Sequence, residues 1–130
     1  MDYSQIRSIN VSELALSACA LASDERSIII GSWDNRVYIY SIEYGRVLDT
    51  IAGHDDAVSC ILLQGSVLVT SSWDSTIKIW NCPISVGDSR KSTRIAELLE
   101  HESEVRSIDV STVTRRLVSG GADGALLFYF

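Results

Sequence analysis

Histidine, a hydroxyl residue and aspartate recur twice in the chain, as His54, Thr70 and Asp74 and again as His101, Ser119 and Asp123. These are the side-chain types of a hydrolytic centre, in which a hydroxyl attacks, an imidazole takes its proton and a carboxylate orients the ring. Two observations count against that chemistry. No G-x-S-x-G segment is present to hold a serine on a strained elbow. The set also occurs twice at repeat spacing, which a single active site does not explain. Gly120, Gly121 and Gly124 could suggest a phosphate-cradling loop, but no Lys-Ser/Thr follows and no helix is expected there, so they read as a tight turn. The two histidines stand far apart with no cysteine or histidine at ligand spacing, so neither a metal nor another cofactor is expected.

The elements that must position these residues come from a chain of 130 residues, 46% apolar and 22% charged with a single proline, which is the composition of a folded, largely buried domain. A net charge of −6 argues against binding a phosphate backbone, which needs clustered Lys and Arg. The opening MDYSQIRSIN lacks the apolar core of a signal peptide, and no stretch approaches the length of a spanning helix, so a cytoplasmic location is expected. Cys19, Cys60 and Cys82 are odd in number and lie in or beside apolar stretches, which suggests buried reduced thiols. Asn10-Val11-Ser12 matches the glycosylation pattern by chance on this reading.

Self-similarity is the strongest signal. SWDNRVYIYSI at 32 to 42 aligns without gaps to SWDSTIKIWNC at 72 to 82, and GADGALLFYF at 121 to 130 keeps the order Asp-x-x-apolar-x-apolar-aromatic. Gly53-His54 and Glu100-His101 stand upstream of the second and third copies. Between these landmarks lie short runs rich in Val, Ile and Leu, punctuated by Gly, Ser or Asp, which predict antiparallel strands joined by tight turns. Residues 83 to 93, PISVGDSRKST, read as a polar loop insertion that lengthens the second repeat.

A repeat of about 40 residues built of four strands, with a Gly-His and a terminal Trp-Asp region, resembles the WD40 family from about residue 14 to 130. The Trp-Asp pair itself varies: Trp80-Asn81, Tyr40-Ser41 and Tyr129-Phe130 take its place. The first copy lacks the Gly-His, so its blade is expected to be less tightly pinned. The resemblance implies an all-β propeller fragment of about three four-stranded antiparallel blades, at 1–51, 52–99 and 100–130. Strands are expected at 14–21, 27–32, 36–41 and 46–51, then 57–63, 67–72, 76–81 and 94–99, then 104–110, 115–120 and 125–130. The last blade then lacks its fourth strand, and because propellers close with roughly four to eight blades the chain is expected to be a piece of a larger protein.

The segment 32 to 59, with SSWDSTIKIW, is more specifically similar to the WD-repeat region of BEACH-domain adaptors of the kind associated with neutral sphingomyelinase activation. That likeness implies a non-catalytic signalling scaffold docking on the cytoplasmic tail of a tumour-necrosis-factor-type receptor, its BEACH domain and remaining blades lying outside these residues. The WD40 resemblance further implies that His54, Thr70, Asp74 and Trp80 form a structural hydrogen-bond network, with His101, Ser119 and Asp123 repeating it and Tyr129 at the indole position. It also places the His-bearing connections and the Asp-bearing turns on one face. Asp55, Asp56, Glu102 and Glu104 would make that face acidic enough to attract a basic peptide, and Trp33 and Trp73 could anchor it. The alternatives are solvated acids and tryptophans packed on neighbouring blades. The opposite face would carry the insertion with Arg90, Lys91 and Arg94. A purely architectural fragment is the remaining reading of function.

Overall fold

The computed structural model describes residues 7–83, 92–111, 113–114 and 116–129. Every described element is a strand. β1 (Leu16–Leu21), β2 (Ser27–Ser32), β3 (Val37–Ser41) and β4 (Arg46–Ile51) form one antiparallel sheet in chain order. A second contains β5 (Val58–Gln64), β6 (Val67–Ser72), β7 (Ile77–Asn81) and β8 (Thr93–Leu98), and a third contains β9 (Val105–Ser111), β10 (Arg116–Gly121) and β11 (Leu126–Tyr129). Strands begin and end within two residues of where hydrophobic alternation and turn residues put them. The polar segment at 84–91, with Arg90 and Lys91, lies outside the described residues, as does Phe130.

The sheets stack face to face through their first strands, β1 against β5 and β5 against β9. Ile29, Val37, Ile39 and Ile51 of the first sheet pack on Val58, Ile61, Leu68 and Trp80 of the second. Val69 and Ile77 on the other side of the second sheet meet Val105, Ile108 and Leu117 of the third. Burying a side chain such as Ile29, Leu68 or Ile77 stabilises by roughly 1.5–3 kcal/mol relative to exposure, so these two interfaces are the main cohesive force. The middle sheet is buried on both faces for this reason, as the runs VLVTSS and IKIWN display.

Polar side chains add a second clamp between sheets. Each first strand bulges near its start, at Ser17, at Ser59 and at Arg106. The Ser17 hydroxyl donates to the Val58 carbonyl at 2.5 Å, and the Ser59 hydroxyl donates to the Val105 carbonyl at 2.6 Å. A bulge re-aims one side chain out of the alternation, and here it points the hydroxyl at the neighbouring strand.

The three Asp turns share one backbone solution. Asn35, Ser75 and Gly124, each directly after the turn Asp, have φ of 74°, 69° and 83°. Gly120 and Gly121, expected in a turn, instead close β10, and only Gly124 occupies the left-handed position. The cysteines also depart from expectation: Cys82 is buried, Cys60 is half-buried and Cys19 is exposed on β1. Cys19 is on the side of β1 facing away from the second sheet, so no described neighbour covers it.

Candidate functional site

In the second sheet the expected residues converge. His54 Nδ1 lies 2.9 Å from Asp74 Oδ2, His54 Nε2 lies 2.7 Å from the Thr70 hydroxyl, and Trp80 Nε1–H donates to that hydroxyl at 3.0 Å. One proton arrangement satisfies every group: the indole donates to Thr70, Thr70 to Nε2, and Nδ1–H to the carboxylate. Asp74 also accepts from the Thr76 hydroxyl at 2.6 Å and from the Asp55 and Thr76 amides. Burial works to raise the Asp74 pKa, but the hydrogen bonds from His54, Thr76 and these amides overcome it and hold the carboxyl below its ordinary 3.8. Gly53 completes the fit, because a Cβ there would fall 2.4 Å from Trp80 Cη2. Lys78, buried beneath the loop, donates to the Gly53 carbonyl and lies 3.6 Å from Glu97.

The third sheet repeats this only in part. His101 Nε2 meets the Ser119 hydroxyl at 2.6 Å, but Nδ1 finds no hydrogen-bond partner among the described residues, and neither does the Tyr129 hydroxyl. Asp123 instead accepts from the Ala125 amide. The expected equivalence with Asp74 therefore does not extend to this residue, and Tyr129, beside Ser119, makes a looser contact than the indole of Trp80 makes with Thr70. The cause is local. Ser72 and Thr76, which fix the Asp74 turn through Asp74 N–H and Oδ1, are Gly121 and Ala125 in the third sheet.

The first sheet lacks the histidine but is not left open. Asp34 accepts from the Ser12 hydroxyl at 3.0 Å, from the Tyr38 hydroxyl and from the Arg36 amide, and Ser32 links to Ser12 at 3.1 Å. Burial opposes ionisation of Asp34, yet these bonds keep its pKa below the ordinary value. The expected looseness of this blade is corrected by Ser12, which stands at the histidine's place four residues before the first strand, and by Tyr38 of β3.

The Asp turns and the His-bearing connections lie at one end of the sheets. Trp33, Trp73 and Ala122 donate their amides to the carbonyls of Ala15, Ala57 and Glu104 in the preceding segments. Asp34, Asp74 and Asp123 of the turns join Asp55, Asp56, Glu100, Glu102 and Glu104 of the connections and Glu13 of the lead. Among the described residues these nine carboxylates face Arg36, Arg106 and Lys78, whose ammonium reaches the Gly53 carbonyl, so negative groups outnumber positive ones at this end. Asp55, Asp56 and Glu102 are exposed, and Glu104 is half-buried.

Within this acid surround the two turn tryptophans touch. Their ring centroids are 5.4 Å apart at 47°, and Trp33 remains 48% exposed. The Arg106 guanidinium lies 4.9 Å from the Trp73 centroid and 2.6 Å from Glu104 Oε2. Residue type alone does not mark Arg106; the visible signal is Val105-Arg106 standing where Val58-Ser59 stands in the second repeat. Among the described residues no three His, Cys, Asp or Glu side chains are placed to hold a metal ion, and no helix is long and apolar enough to cross a membrane.

Similarity to known proteins adds to this geometry. The chain is 33% identical over 93 residues to a periodic tryptophan protein 2 homolog of Caenorhabditis elegans, covering 72% of this chain and 9% of that protein. It is 27% identical over 117 residues to BEACH domain-containing protein B of Arabidopsis thaliana, covering 76% of this chain and 4% of that protein. It is 29% identical over 121 residues to a periodic tryptophan protein 2 homolog of Schizosaccharomyces pombe, covering 91% of this chain and 13% of that protein. The chain thus spans between 4% and 13% of the length of these relatives. The family described as WD domain, G-beta repeat matches residues 4–41, 45–81 and 92–129, each match ending at a third strand. With its repeats matched over most of its length and its strands in antiparallel sheets of the propeller type, the chain belongs to the WD domain, G-beta repeat family.

Proposed function

We propose that residues 1–51, 52–99 and 100–130 are three successive blades of a larger propeller, and that their acidic loop face docks a basic segment of a protein partner without catalysis. The observation that carries this reading is the contact between Trp33 and Trp73, an exposed aromatic pair inside a strongly acidic surround. Aromatic rings supply contact energy and the gathered carboxylates steer encounter. The hydroxyls of Thr70 and Ser119 are buried, which supports a brace and not a nucleophile, since no substrate reaches them.

The finer reading, a cytoplasmic adaptor docking on a tumour-necrosis-factor-type receptor tail, rests on the likeness of residues 32–59 to BEACH-domain adaptors, and the match to BEACH domain-containing protein B supports the BEACH-type relationship alone. A second reading, a segment of a periodic tryptophan protein 2 relative, is favoured by the matches to such proteins. The test is charge reversal at Asp55, Asp56, Glu102 and Glu104 together, with association to a receptor-tail peptide followed from low to physiological salt. Slower association with a weaker salt dependence and unchanged stability is expected. An unaltered rate at low salt moves the site off this face.

A further inference from the structure

We propose that the Trp33–Trp73 pair reads guanidinium groups, so that the docking segment carries arginine, and that Arg106 is a resident competitor for the same seat. This rests on the docking reading above and adds the side chain that is read and the residue that competes with it.

Ser17, Ser59 and Arg106 occupy equivalent bulges in the three first strands. The two serines clamp the next sheet through the carbonyls of Val58 and Val105. Arg106 instead turns its guanidinium over the Trp73 ring at 4.9 Å, with the Glu104 carboxylate at 2.6 Å. The fold therefore already contains a guanidinium seat: a flat π face with a carboxylate beside it. A guanidinium is planar and more weakly hydrated than an ammonium, so it stacks on such a ring at lower desolvation cost than lysine of equal charge.

The seat extends beyond its present occupant. Trp33 continues the aromatic surface from Trp73 and is nearly half exposed. The Arg106 side chain is 54% exposed, so an incoming arginine can duplicate its contacts and displace it without disturbing the buried interfaces. The excess of carboxylates at this end draws a basic segment and repels an acidic one.

The experiment titrates the full 130-residue chain with two blocked peptides of one sequence, differing only in carrying arginines or lysines at the same positions. Calorimetry and tryptophan emission report binding at low and physiological salt. The arginine peptide is expected to bind about three- to five-fold tighter, the worth of an exposed cation–π contact. Arg106→Gln is expected to raise arginine-peptide affinity by a similar factor. Trp33→Leu, which keeps apolar bulk, is expected to reduce the arginine preference at an unchanged urea midpoint. Equal affinity for the two peptides, or unchanged or weaker binding in Arg106→Gln, overturns the proposal. The variant reversed at Asp55, Asp56, Glu102 and Glu104 separates the two levels. If it loses both peptides while the unmodified chain does not distinguish them, docking by charge stands and guanidinium reading falls. If it retains both peptides in full, the docking reading itself falls.

Discussion

His101 holds the Ser119 hydroxyl at 2.6 Å through Nε2, yet its Nδ1 has no partner among the described residues, whereas the same nitrogen of His54 is tied to Asp74 at 2.9 Å. Two histidines at corresponding places in the repeat thus carry different structural weight. A buried donor or acceptor left unpaired costs about 1–3 kcal/mol, so the third blade is held mainly by its apolar contact with the second.

The two turn aspartates should therefore respond differently to substitution. Asp74→Ala is expected to destabilise by about 1–3 kcal/mol, because it strands the His54 ring and removes the acceptor for two amides. Asp123→Ala is expected to cost less than about 1 kcal/mol, the worth of one exposed turn bond. Urea midpoints of the two variants check this, and equal losses would show that the third network closes in solution.

Gly53 and Trp80 form a matched pair. Gly53→Ala places a methyl group against the indole and is expected to cost about 1–3 kcal/mol as overpacking. The third blade carries Glu100 and Tyr129 at these places, so a smaller ring should relieve the clash. Gly53→Ala combined with Trp80→Tyr should be less destabilised than the sum of the single variants. Strict additivity in a double-mutant cycle would argue against the contact.

Acid should weaken the second blade in a defined window. A carboxyl whose folded pKa is depressed contributes stability above its unfolded value and loses it as pH falls toward the folded one. Asp74 lies below its ordinary 3.8, so its contribution is full at neutral pH and declines below about pH 4. Urea midpoints measured from pH 7 to pH 2 should fall less steeply in Asp74→Asn. Parallel profiles would mean that Asp74 is not ionised within the network.

Strand placement was legible because it depends on local pattern. β-branched runs, alternation and the Asp turns specify SIIIGS, VYIYS and IKIWN as strands whatever lies beyond them. The second network was legible for the same reason, since His54, Thr70, Asp74 and Trp80 stand at fixed offsets in the repeat. What depends on the partner at the far end of a side chain was not. Ser12 takes the histidine's place with a shorter side chain, Tyr38 reaches the same carboxylate from β3, and Arg106 leaves a serine's role to reach a ring on the neighbouring blade. Asp123 fails for want of two hydroxyls at Gly121 and Ala125, small residues whose effect shows only when the turn is built.

β11 lies at the edge of the third sheet with Leu126 59% and Phe128 63% exposed. An apolar edge strand pairs readily with another. Light scattering on the 130-residue chain is expected to detect association at micromolar concentration, reduced by Phe128→Lys. A cooperatively unfolding monomer would contradict this.

Docking on the acidic face requires that the loop end of the propeller segment, and not the opposite end, meets the partner. A photo-crosslinking side chain introduced in place of Glu102, on the acidic loop end, or of Glu43, in the turn between β3 and β4 at the opposite end, reports this directly with a receptor-tail peptide bound. Crosslinking from position 102 and little from position 43 is the predicted result. Efficient crosslinking from position 43 with none from position 102 would contradict it.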